Sequence, residues 1–230
     1  MKLFTSLFTS SLGKKYLMAG TGFLLFLFVL AHLAGNLQVF LGPEAINRYG
    51  HFLQSNVELL WPARIVLLLL VGVHLWSATA LTLENRAARP QGYARYVALG
   101  STYASRHMLM SGLIILAFVI YHLLHYTVQV KAVNLTGRDF TQLVDEEKRH
   151  DVFRMMVLGF SNGWVSAFYL LGIGLLCLHL SHGASSMFQS LGWRTDSYRP
   201  ALDTAARVVA VLVFAGYASI PVAILLGYGK

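Results

Sequence analysis

Five stretches of the chain are apolar over nearly their whole length, and polar segments separate them. They run roughly over residues 16–41, 62–83, 107–128, 164–181 and 208–226. A helix needs ~20 consecutive apolar residues to cross the hydrocarbon core of a bilayer, so each stretch predicts a transmembrane helix. The connector 129–163 is long and charged ("TGRDFTQLVDEEKRHDVFR") and predicts a short helix on the outer surface. "ENRAARPQGY" and "LGWRTDSYRP" read as basic loops on the inner side. The opening "MKLFTSLFTSSLG" lacks the pattern of a cleavable signal peptide, because Lys14 and Lys15 interrupt its apolar continuation. It reads as a short amphipathic lead-in on the membrane surface. The whole chain, 1–230, is expected to be a single membrane domain.

Composition agrees with this picture. Of 230 residues, 56% are hydrophobic and 12% charged, which is too apolar for a soluble domain of this length. The net charge of +8 does not point to nucleic acid, because the basic residues lie between apolar blocks and form no patch with interleaved aromatics. With the N-terminus inside, ten Lys and Arg residues fall on the inner side and eight on the outer. That margin orients the N-terminus towards the cytoplasm and the C-terminus away from it. The lone Cys177 excludes an internal disulfide and any cysteine-held zinc or iron–sulfur site, and reads as a packed small residue. No acidic residue is expected within the apolar blocks.

Histidines change the picture more than charge does. Four of the five blocks carry one in their interior: His32, His74, His122 with His125, and His179 with His182. Ionisable side chains at membrane depth are costly and mark function. Imidazole can ligate a metal while neutral, and bis-histidine ligation of haem iron needs two facing helices. Depth pairs them. At ~1.5 Å of rise per residue, His32 (10 residues before Gly42) and His122 (9 before Lys131) lie roughly 14–15 Å from the outer end. His74 and His179 lie deeper, at roughly 18–24 Å. The expected fold is all-α integral membrane, with five transmembrane helices, the first four forming a bundle around two stacked haems b.

A repeated prelude supports the pairing. Thr21 and Gly22 precede His32 by 11 and 10 residues, and Ser111 and Gly112 precede His122 by the same intervals. Eleven residues return to nearly the same helix face about 16 Å away, where small residues leave room for a second macrocycle.

These residues resemble a known family. Across "SSLGKKYLMAGTG", "HLAGNLQVF", "GPEAINRYGHFLQSN", "LTLENRAARPQGY", "ASRHM", "FSNGW", "HLSHGASSMFQSLG" and "ASIP", the chain is similar to the cytochrome b membrane anchor of succinate dehydrogenase/fumarate reductase (respiratory complex II). The likeness is to its single-subunit, five-helix, two-haem form, common in Bacteroidetes-like bacteria. The resemblance implies that His32 and His122 ligate the outer haem b, and His74 and His179 the inner one. It implies a flavoprotein subunit and an iron–sulfur subunit as partners, which alone carry FAD and Fe–S clusters. It further implies electron transfer to a membrane quinone, with menaquinone favoured, in a bacterial cytoplasmic membrane.

Haem propionates need cationic or hydrogen-bonding partners. Lys15, Arg106 and His182 are candidates at the inner level, and Arg154 and His125 at the outer. Asn36, Gln38, His51 and Glu58 are the polar groups expected near a quinone beside the outer haem. Two rival readings stand beside this one. The first is the cytochrome b anchor of another respiratory oxidoreductase (hydrogenase, formate dehydrogenase or nitrate reductase type). Several of those place two ligands about 13–14 residues apart on one helix; here His107 and His122 are 15 apart. The second is a histidine-bearing transporter, which calls for transmembrane acids beside the histidines.

Overall fold

The computed structural model describes residues 2–88 and 107–230, with side chains from Thr5 onwards. Arg106 and the second half of the "ENRAARPQGY" loop, from Arg89, lie outside the described residues. The described chain is mostly helical: α1 (Lys2–Thr9), α2 (Ser11–Asn36), α3 (Pro43–Ser55), α4 (Val57–Ala87), α5 (Met108–His122), α6 (Val152–Ser161), α7 (Gly163–Ser190) and α8 (Arg199–Leu225). A 3-10 turn, Leu37–Leu41, extends α2, and a π-helical turn, Leu123–Thr127, extends α5.

Five of these segments are long and apolar enough to cross a membrane: Ser11–Leu41, Val57–Ala87, Met108–Thr127, Gly163–Ser190 and Arg199–Leu225. The existence of all five agrees with the apolar pattern, but most run past its ends. α4 continues five residues before Pro62 and four beyond Leu83. A helix does not stop where apolar residues stop, because polar residues still close its backbone hydrogen bonds. Glu58 and Glu84 therefore sit within α4, near its two ends, although the apolar pattern places no acid in a span. Leu68, Leu69, Val211 and Leu212 are each 63–65% exposed in mid-helix. Large apolar side chains facing outwards along spans of this length suit a hydrocarbon surrounding.

The described chain groups into two compact units. The first comprises residues 1–28, 65–112 and 178–210. In it, Lys14 is buried and ion-pairs with Glu84, which also accepts from Ser11 Oγ at 2.9 Å. Arg194 and Ser185 both bind the carboxylate of Asp203, the former at 2.9 Å. The Lys14 side chain is 8% exposed and that of Glu84 39%. Removing only the acid strands a buried ammonium, which is worse than removing both charges. Glu84→Gln is therefore expected to lower the thermal midpoint in detergent more than the Lys14→Met/Glu84→Leu double replacement does. Equal midpoints would refute this asymmetry.

The second unit comprises residues 29–64, 113–177 and 211–230. Its core includes Val39, Phe118, Phe140, Met156, Phe160, Tyr169, Val213 and Ile224. The expected connector helix is α6, and its apolar face is buried rather than laid on a surface. Asp151 caps it, accepting from Arg154 N at 2.9 Å. Gly42, at φ 97°, makes the reversal into α3, with Pro43 at the first helical position. α3 is tied to the connector by Asn47, which is 2% exposed. Its Nδ2 donates to Asp145 Oδ2 (3.3 Å) and Asp151 Oδ1 (3.1 Å), and its Oδ1 accepts from Phe153 N (2.9 Å). Arg149 adds contacts to Asp145 (2.8 Å) and Glu44 (2.6 Å), and this guanidinium holds the Glu44 carboxyl below the usual carboxylate range.

Candidate functional site

Each unit contains one facing pair of histidines. In the first, His74 on α4 and His179 on α7 have ring centres 6.4 Å apart with planes at 63°. In the second, His32 on α2 and His122 at the end of α5 have ring centres 5.8 Å apart at 81°. These are the two pairs expected from depth along the helices. A metal–imidazole bond is about 2.0–2.1 Å and a ring nitrogen lies about 1.1 Å from its ring centre, so two imidazoles on opposite sides of one metal have centres roughly 6.3 Å apart. The first pair matches that span, and the second lies about half an ångström inside it. Among the described residues, no three or more His, Cys, Asp or Glu side chains gather around one metal position. Two imidazoles facing each other at about this span are a donor set that a macrocycle-held metal could use, the macrocycle supplying the other ligands. The residues present therefore fit haem.

The Thr/Ser-Gly prelude has a partner that the sequence pattern does not reveal. Thr21 Oγ1 lies 3.2 Å from His74 Nδ1, and Ser111 Oγ lies 3.4 Å from His179 Nδ1. A glycine follows each hydroxyl residue, and at Gly22 the ring comes close enough that a side chain would crowd it. A Cβ at Gly22 would stand 3.2 Å from His74 Cε1, and one at Gly112 would stand 3.8 Å from His179 Cε1. All six residues belong to the first unit.

The second pair is set among tyrosines. The Tyr169 hydroxyl lies 3.3 Å from His122 Nδ1 and 3.0 Å from His125 Nδ1. Tyr217 stacks obliquely near His32, with ring centres 6.3 Å apart, and its hydroxyl donates to the Val29 carbonyl at 2.8 Å. The π-helical turn that begins after His122 carries His125, and such turns recur at functional sites. Neither Tyr169 nor Tyr217 stands out in the sequence. The available signal is a tyrosine deep in an apolar run, whose hydroxyl must find a partner there.

His125 was expected near the outer surface, beside a propionate or the interface. It is instead fully buried, stacked on Tyr126 with ring centres 4.0 Å apart, with its Nε2 and the Tyr126 hydroxyl lacking a hydrogen-bond partner. The connector and α6 cover that end of α5, which length along the helix does not show. His182 is half-buried, and its Nε2 pairs with Ser186 Oγ at 3.0 Å. Lys15 is exposed, whereas its neighbour Lys14 is the buried cation. Arg154 is exposed, on the side of α6 away from its buried residues. Asn36 donates to the His32 carbonyl at 2.9 Å, a helix-end contact. Gln38 is half-buried in the 3-10 turn, and His51 and Glu58 are exposed. These four polar groups are not brought together as one site by any contact among the described residues.

The chain matches no family model, and no curated protein or solved structure matches it.

Proposed function

We propose that this chain is a di-haem cytochrome b, the membrane anchor of a succinate:quinone oxidoreductase of the succinate dehydrogenase/fumarate reductase class. The observation that supports this reading is the two facing histidine pairs on four apolar helices, one at the span of two imidazoles sharing a metal and the other about half an ångström inside it. His32 with His122, and His74 with His179, would hold the two haems b. When bound, haem supplies reversible one-electron transfer at iron. The chain's own work is to hold the imidazoles apart at a fixed distance, orient their rings and exclude water. Burial and hydrogen bonds on Nδ1 tune the ligands.

The family assignment rests on the sequence resemblance. On that reading the flavoprotein and iron–sulfur subunits dock on the cytoplasmic side. Electrons pass between the iron–sulfur clusters and a membrane quinone, menaquinone being favoured. The chain itself would carry neither flavin nor an iron–sulfur cluster. The N-terminus faces the cytoplasm, in accord with the charge count. Purification of a tagged full-length chain from membranes is expected to bring down both partner subunits with two b-type haems per chain. A preparation with no dithionite-reduced b-type band would overturn the haem reading. A different oxidoreductase partner would overturn the family assignment alone.

A further inference from the structure

We infer that Thr21 and Ser111 are positioning residues for the His74–His179 pair, fixing the tautomer of each ring through its Nδ1. The inference rests on the haem reading above. Thr21 has a single hydroxyl proton, and it is directed to the Leu17 carbonyl, 2.6 Å away. Towards His74 the oxygen can then only accept, so His74 Nδ1 carries the proton. Ser111 repeats the arrangement: its hydroxyl donates to the Met108 carbonyl at 3.1 Å and so accepts from His179 Nδ1.

With Nδ1 protonated, each ring keeps its Nε2 lone pair for a metal. The hydrogen bond also raises the donor strength of the ligand and favours the oxidised metal. The arrangement is crossed between helices. α2 carries the ligand His32 and also the hydroxyl serving His74; α5 carries the ligand His122 and also the hydroxyl serving His179. Gly22 follows Thr21 directly and leaves room for the His74 ring, since a Cβ there would stand 3.2 Å from its Cε1.

The test is a spectroscopic redox titration of the purified complex, with haem content measured by pyridine haemochrome. Thr21→Val and Ser111→Ala keep the shape of each site but remove the acceptor. Each is expected to retain two haems and to shift one of the two midpoint potentials upwards. The component that moves should be the one lost in His74→Ala and His179→Ala, and the other should stay in place. Thr21→Ser, which restores the hydroxyl, should return the wild-type value. Loss of that one haem in Thr21→Val, restored in Thr21→Ser, is the stronger form of the same result. Two haems with both potentials unmoved, or a shift in the component that survives His74→Ala, would overturn the assignment and leave the haem reading intact. A wild-type complex without haem would overturn both.

Discussion

On the di-haem reading, replacing His122 by alanine is expected to halve the haem content of the purified protein, from two per chain to one. His122 faces His32, with ring centres 5.8 Å apart. Its neighbour three residues on, His125, faces Tyr121, Tyr126, Phe140 and Tyr169 instead. His32→Ala should therefore remove the same haem, and the double variant should lose no more than either single one. His125→Ala should keep both haems. The other doublet behaves alike: His179 faces His74, whereas His182 engages Ser186, so only His179→Ala should cost a haem. Because a bound cofactor stabilises the state that binds it, each loss should also lower the thermal midpoint. Loss of haem in His125→Ala with retention in His122→Ala would overturn the ligand assignment.

The second large effect is expected at Asn47, which touches neither histidine pair. This buried amide makes three hydrogen bonds, two of them to carboxylates, and joins α3 to the connector that leads into α6. Removing one partner from a buried polar contact costs the desolvation of the groups left behind, about 1–3 kcal/mol for each and more where charge is involved. Asn47→Ala should thus destabilise the second unit by about 3 kcal/mol. Asn47→Asp should be worse, since it sets a third carboxylate against Asp145 and Asp151. Limited proteolysis within 129–151 and thermal unfolding in detergent would measure this. Wild-type protease resistance in both variants would show that Asn47 does not tie down the connector.

Much of the candidate site was legible in the sequence. Burial in lipid demands runs of apolar residues, and an ionisable group within such a run stands out because its desolvation is costly. Helical rise then orders His32, His74, His122 and His179 by depth without any tertiary information. The same one-dimensional reasoning misjudged His125. Distance along a helix measures nearness to its end, and does not reveal that α6 and Phe140 pack over that end. Nor does it reveal that Lys14 is buried against Glu84, 70 residues away, while Lys15, about 100° further around the helix, is exposed.

The amino-acid sequence alone sets out the five helices long and apolar enough to span a membrane and the pairing of His32 with His122 and of His74 with His179, because these follow from hydropathy and from helix geometry. Which groups meet these histidines is settled only by the tertiary packing. Thr21 reaches His74 across 53 residues of chain, Ser111 reaches His179 across 68, and Tyr169 reaches both His122 and His125. A hydrogen bond between helices depends on the rotation of each helix about its axis and on how closely a glycine lets them approach. Neither quantity leaves a period in the sequence.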